Sequence, residues 1–259
     1  MRIGAVTVHA VIDGVIPLPP GLLYPDVPLS EWEGIPGALD GDGMLPVPFG
    51  GFLALDGQGH RVLFDLGGGL APELVPGGEP PAVRELLPAR LEELGCPIGA
   101  VTDVVLSHLH IDHVGWASAA GRVTFPDACH HIHAADWKHF VDGDADEAVR
   151  RKVAPLGDAA VLWDGEEASP FEWLRLIHAP GHTPGAAVAV IESQGMSLAL
   201  AGDLFHHPAA AQHPHWRCGF DWDAQAAAST RARWRDRLRA AGTALVGPHF
   251  PGLEPITLR

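Results

Sequence analysis

Ser107-His108-Leu109-His110-Ile111-Asp112-His113-Val114-Gly115 is the stretch on which the reading of this chain turns. It follows residues 101–107, a short run rich in β-branched side chains that reads as a strand. Residues two apart on an extended segment point to the same side, so His108 and His110 converge on one point. Leu109 and Ile111 point the other way, into a core that fixes the loop. Asp112 and His113, just beyond, can turn toward a neighbouring point. Imidazole and carboxylate are the ligand set expected of zinc in a hydrolytic site, and they also suit iron, cobalt or manganese.

Working outward, three more residues of ligand type each follow a predicted strand. His182 sits in the stiff turn Ala179-Pro180-Gly181-His182-Thr183-Pro184-Gly185, Asp203 follows an apolar strand at 197–201, and His249 follows a short strand at 244–246. Each alone is an ordinary loop residue; together they are candidates to complete a metal site. Further strands are expected at 6–15, 52–55, 61–64, 171–177 and 187–191, the second and third joined as a hairpin. A helix is expected at 82–94, kinked by Pro88, and another at 224–241 with Ala227, Thr230, Trp234, Leu238 and Ala241 on one face. The five arginines of that second helix (Arg231, Arg233, Arg235, Arg237, Arg239) read as a solvated surface. This mixture predicts one α/β domain over residues 1–259. Residues 17–51, rich in Pro and Gly, read as a long surface loop serving as lid and substrate pocket. Leu22, Leu23, Tyr24, Trp32, Met44 and Phe49 would form its apolar wall, although the same side chains suit packing the loop down or a homodimer contact.

Composition sets outer bounds. Of 259 residues, 32 are acidic and 17 basic, giving a net charge of −15, which argues against nucleic acid and against an anionic membrane surface. No stretch approaches the roughly 18–20 apolar residues of a membrane span, and the N-terminus lacks the apolar core of a signal peptide. Three widely spaced cysteines make neither a disulfide framework nor a thiolate zinc site, so a reduced, cytoplasmic setting is expected. The 16 histidines matter only where they follow strand ends.

Phe64-Asp65-Leu66-Gly67, the run from His108 to His113, Gly181-His182-Thr183-Pro184-Gly185, Gly202-Asp203 and the late His249 occur in an order that resembles the metallo-β-lactamase superfamily over nearly the whole chain. The resemblance implies a four-layer αββα sandwich with metals at one edge of its two sheets. It implies that His108, His110 and His182 bind a first divalent ion, that Asp112, His113 and His249 bind a second, and that Asp203 bridges them. Zinc is the first expectation for both ions. Asp65 would stand behind the ligands and hold their loop. Two metals about 3.5–4 Å apart trap a bridging water, supply hydroxide at neutral pH and polarise a carbonyl or phosphoryl oxygen.

The branch is narrowed by particular residues. Zinc β-lactamases of this superfamily usually carry Ser or Cys where Asp203 stands, which points away from antibiotics, and the acidic charge points away from its RNA-processing members. Glyoxalase II and the alkylsulfatases usually continue the ligand run with Gly-Gly, where this chain has Gly115-Trp116. The stretch from Gly202 to Pro208, with Gln212, Pro214, Trp216 and Phe220-Asp221-Trp222-Asp223, looks most like the branch holding quorum-quenching N-acyl homoserine lactonases and methyl-parathion-hydrolase-like enzymes. That likeness implies a hydrolase opening a small lactone or ester, with organophosphate triesters as the alternative. Asp112 and His206 are the candidate catalytic residues. Some lactonases carry Tyr three residues after the bridging Asp, a position held here by His206, which would polarise the substrate carbonyl or protonate the leaving group; support behind the ligands is its other reading. Two competing classes are a mononuclear iron enzyme resembling persulfide dioxygenases and a metal-binding protein without turnover.

Overall fold

In the computed structural model, which describes residues 1–69 and 86–258, runs of β-branched and apolar residues build two mixed sheets. The first draws on β1 (Arg2–Ile3), β2 (Val6–Leu18), β3 (Leu45–Leu55), β4 (Arg61–Phe64) and β5 (Asp103–Val105). After a small hairpin of β6 (Ser118–Ala119) and β7 (Arg122–Val123), β8 (Cys129–His133) and β9 (Ala160–Trp163) complete the order β1-β2-β3-β4-β5-β8-β9. Pairing is antiparallel from β1 to β4 and parallel from β4 to β9. The second sheet runs β10 (Glu167–Phe171), β11 (Leu174–His178), β12 (Ala187–Ser193), β13 (Met196–Leu200) and β14 (Ala244–Val246), antiparallel except for its last pair. The helices are α1 (Pro20–Leu23), α2 (Leu29–Glu33), α3 (Leu87–Glu93), α4 (Ile111–Val114), α5 (Ala134–Asp136), α6 (Glu147–Val153), α7 (Pro208–Gln212) and α8 (Ala224–Ala241).

Side-chain alternation sets the layers. Leu176, Ala189 and Leu200 form one row across the second sheet, and they meet Phe52, Phe64 and Val105 of the first. The residues between them point outward, where Trp234 and Leu238 of α8 join the same buried cluster. The far face of the first sheet buries Val11, Leu53, Leu63 and Val104 against Leu87 and Leu91 of α3, Val114 of α4, and Val149 and Val153 of α6. This is the expected αββα layering.

Several local expectations are corrected. The loop expected at 17–51 is shorter, because β2 continues to Leu18 and β3 starts at Leu45; residues 19–44 connect them and carry α1 and α2. Prolines hid this strand. Residues 45–51 pair with β2 alone, so the missing N–H groups of Pro46 and Pro48 face an unpaired edge and cost no ladder bond. Gly51 is not a turn residue either: a Cβ there would lie 2.1 Å from the Phe64 carbonyl oxygen. Of the helix expected at 82–94, residues 82–85 lie outside the described residues. Pro88 does not kink the remainder, because it falls in the first turn of α3, where an N–H is not needed. The strand expected at 171–177 is broken by a tight turn at Glu172 and Trp173. α8 has the predicted bounds, capped by Asp223 at its start and by left-handed Gly242 at its end.

A bulge in β2 between Ile12 and Gly14 breaks the ladder at Asp13. The buried Asp13 carboxylate accepts from the Gly69 and Leu87 backbone N–H groups and from Trp116 Nε1, at 2.8, 2.9 and 3.0 Å. The strand, the start of α3 and the end of the ligand segment are thereby joined at one point.

Candidate metal centre

The parallel pairing of β4 and β5 brings their C-terminal ends side by side, with Asp65 just beyond one and Ser107 just beyond the other. Asp65 has φ 56°, a left-handed value that Asp tolerates better than most residues. In that conformation its carboxylate accepts from Ser107 N and Ser107 Oγ, both at 2.8 Å, and from His113 Nδ1 at 3.0 Å. Asp136, at the end of α5, performs a second tie: it accepts from Leu109 N at 3.0 Å, Thr183 Oγ1 at 2.9 Å and Gly185 N at 2.6 Å. The His108–His110 loop and the His182 turn are thus hung on one buried carboxylate. α4 then rotates Asp112 and His113 away from the first pair of histidines.

The seven candidate ligands converge in two groups that share Asp203. His108 Nε2 and His182 Nε2 lie 3.1 and 2.9 Å from His110 Nδ1, and 3.6 and 3.2 Å from Asp203 Oδ2. On the other side, His113 Nε2 and His249 Nε2 lie 3.2 and 3.1 Å from Asp203 Oδ1, and 3.8 and 3.4 Å from Asp112 Oδ2. The far nitrogens of three rings are anchored: His113 Nδ1 on Asp65, His182 Nδ1 on Asp221 at 3.1 Å, and His249 Nδ1 on the Pro48 carbonyl at 2.7 Å. Each anchor fixes the tautomer that turns a bare Nε2 lone pair inward. His113 Nε2 and Asp203 Oδ1 are buried and have no hydrogen-bond partner. Unpaired inward lone pairs on imidazole nitrogen and carboxylate oxygen are what a divalent cation of the zinc type takes, so the residues fit such an ion in each group.

The local field is strongly coupled. Burial alone would raise Asp203, but the surrounding His113, His206, His249 and His108 hold it well below the usual carboxylate range. Burial, reinforced by His182, pushes His110 down to about 3. Burial also lowers His206 to about 4, against the pull of Asp203. Asp221 would likewise be raised by burial, but hydrogen bonds from His182 and Arg231 bring it to about 2.

His110, Asp112, His182, Asp203 and His249 floor a cavity of about 330 Å³ whose walls include Leu18, Leu22, Val47, Phe49 and Phe220. Phe49 therefore lines it. Tyr24 and Trp32 do not: both are buried, packed against each other and against Trp216, with Tyr24 edge-on behind His206. They hold the segment carrying α1 and α2 down instead of facing a ligand, because loop aromatics this large gain more by joining the core than by lining a wet cleft. His206 borders the cavity with Nε2 2.9 Å from Asp203 Oδ2, and its Nδ1 is buried without a partner.

Two residues were missed. Arg231 was counted among solvated arginines, yet it is 3% exposed, while Arg233, Arg237 and Arg239 are exposed as expected. Its partner Asp221, whose side chain is fully buried, received no role. A signal existed for the arginine: position 231 falls on the helical face marked by Ala227, Thr230, Trp234 and Leu238. Asp221 stands out only as part of the run Phe220-Asp221-Trp222-Asp223, which gives it no role of its own.

The profile of the metallo-beta-lactamase superfamily matches residues 52–243. A probable metallo-hydrolase of Mycobacterium tuberculosis is 28% identical over 170 residues, or 56% of this chain; the chain spans about half of that relative, 53% of its length. A probable metal-dependent hydrolase from Staphylococcus aureus superposes with a TM-score of 0.85 at 19% identity, covering 96% of this chain and 91% of that one. AidC, a dizinc quorum-quenching lactonase solved with its product N-hexanoyl-L-homoserine, gives 0.84 at 19% identity, covering 97% and 90%. At such identities the structural likeness speaks for the fold. The profile match over most of the sequence carries the family: this chain belongs to the metallo-beta-lactamase superfamily.

Proposed function

We propose that the chain is a dinuclear metal-dependent hydrolase that opens a small neutral lactone or ester, of the N-acyl homoserine lactone kind. One observation carries the reading: two donor groups share the two oxygens of Asp203 at the floor of an apolar cavity. Zinc is the ion the donor chemistry suits first. Such a pair, when bound, would lower the pKa of a coordinated water and polarise the substrate's carbonyl oxygen.

The chain's own residues supply the rest. His108, His110, His182 and Asp203 hold one ion, and Asp112, His113, His249 and Asp203 hold the other. Leu18, Leu22, Val47, Phe49 and Phe220 offer an acyl chain an apolar wall and keep bulk water from the floor. No Lys or Arg occurs among the described lining residues, which favours a neutral substrate over an anionic one. Asp112 is a ligand that also borders the cavity, its side chain 28% exposed, so a carboxylate oxygen can hold the proton released by the attacking water. His206 can exchange Asp203 Oδ2 for a substrate carbonyl and polarise it through Nε2–H. Hydrolysis of phosphotriesters is the second reading, supported by the same largely apolar wall without Lys or Arg among the described lining residues. The AidC likeness favours the lactone.

The partner in this reading is a small molecule and not nucleic acid. Among the described residues no helix is long and apolar enough to cross a membrane. The test is a hydrolysis panel of homoserine lactones of varied chain length, aryl esters and phosphotriesters, run on protein of measured metal content. Preferential turnover of acyl lactones is expected; turnover confined to phosphotriesters would transfer the assignment to the second reading.

A further inference from the structure

Behind the first donor group lies a buried ion pair that does not border the 330 Å³ cavity. The Arg231 guanidinium, presented by α8, donates through both terminal nitrogens to Asp221, at 2.8 Å to Oδ2 and 2.6 Å to Oδ1. Its third donor, Nε, reaches the Leu204 carbonyl at 2.8 Å, one residue beyond Asp203. Asp221 Oδ1 is also the acceptor for His182 Nδ1, at 3.1 Å. The backbone reinforces the same contact: Trp222 N donates to the His182 carbonyl at 3.0 Å and Asp223 N to the Gly181 carbonyl at 2.9 Å. One planar side chain therefore sets His182 and the peptide following Asp203 at a fixed separation. None of these contacts involves His113, His249 or Asp112.

We infer that Arg231, acting through Asp221, is a positioning residue that sets the metal affinity of the His108–His110–His182 group, reaching the other group only through the turn that carries Asp203. The inference rests on reading the site as two metal-binding halves. Desolvated charges are costly unless paired and hydrogen-bonded, and this pair sits where its rigidity acts on one ligand ring and on the turn that carries the bridging carboxylate. Lysine cannot replace it, because a single ammonium lacks the forked donors needed to grip Asp221 at both oxygens while also holding Leu204.

The test uses zinc affinity measured by competition with a chromophoric chelator in two parent variants of the full chain. His249→Ala leaves only the first group complete, and His110→Ala leaves only the second. Into each is placed Asp221→Asn/Arg231→Gln, which exchanges the ion pair for neutral amides and leaves no buried charge unpaired. Arg231→Lys is made in parallel, and melting of the metal-free proteins shows that each is folded. The expected result is a loss of about 10–100-fold in zinc affinity in the His249→Ala parent, as for other groups that orient a ligand. Arg231→Lys should fall between, and affinity in the His110→Ala parent should fall by much less, because only the turn carrying Asp203 is touched there. A lowered melting temperature with zinc affinity intact in the His249→Ala parent would make the pair purely structural and overturn the inference, as would equal losses in both parents. If the His249→Ala parent itself takes up no zinc, the two-halves reading fails and the inference falls with it.

Discussion

His113 Nε2 and Asp203 Oδ1 stand 3.2 Å apart in the interior, and neither makes a hydrogen bond. The other nitrogen of His113 is held by Asp65, so the ring cannot flip to find a partner without losing one. Two facing, unpaired polar atoms cost about 1–3 kcal/mol each when buried. A fold that keeps them so, at the meeting point of both donor groups, is organised around cation binding. Predictions follow from which residues hold the rings and which border the cavity.

Asp65→Asn should keep the fold, because Asn tolerates the left-handed φ of 56° at this position. It should nonetheless weaken zinc binding by the His113-containing group about 10–100-fold. The amide can still accept from Ser107 through its oxygen, but it then turns an NH2 toward His113 Nδ1–H, donor against donor. Zinc titration of the variant in the His110→Ala parent reads this directly; unchanged affinity would show that Asp65 does not orient the ring.

His206→Ala should lower kcat/KM about 10–100-fold while leaving two zinc ions per chain, if the ring acts on the substrate. Elemental analysis beside the kinetics separates this from the other reading. Activity falling in proportion to lost metal would assign the ring to holding Asp203, 2.9 Å away.

Phe220 is 45% exposed and lines the cavity, so its removal should spare the fold. Phe220→Ser should raise KM for a long-chain acyl lactone about three- to tenfold, with little change for the shortest chain and none in kcat, because only apolar contact is lost. Equal effects on both chain lengths would place the acyl group elsewhere.

His130, in the interior strand β8 between β5 and β9, is buried with neither ring nitrogen partnered, and burial pushes it down to about 4. An unfolded histidine takes up its proton near pH 6.5, so between there and about pH 4 the unfolded chain binds more protons and stability falls as pH falls. His130→Leu should shrink the stability difference between pH 7 and pH 4.5 by about 2–3 kcal/mol relative to the parent, both measured metal-free by denaturant unfolding. Parallel pH profiles would contradict the buried neutral state.

The candidate ligand positions were legible because extended alternation and strand-end placement are local properties. His108 and His110 declare their shared side by spacing alone, and Asp203 and His249 by following apolar strands. What stayed hidden is held together through space. Asp136 joins Leu109 to Thr183 and Gly185, and Asp221 joins His182 to Arg231, across separations of 27 to 49 residues in the first case and 10 to 39 in the second. Residues 45–51 concealed a strand because their prolines and glycines obey an unpaired edge and a close backbone approach, not a turn. Tyr24 and Trp32 misled because an apolar side chain in a loop looks the same whether it faces a ligand or the core.

The most direct test strips the protein with a chelator and restores zinc in steps, following hydrolysis of an N-acyl homoserine lactone and bound metal together. The account predicts no turnover without metal and activity that rises until two equivalents per chain are bound. Full activity in the metal-free protein, or saturation at one equivalent, would contradict it.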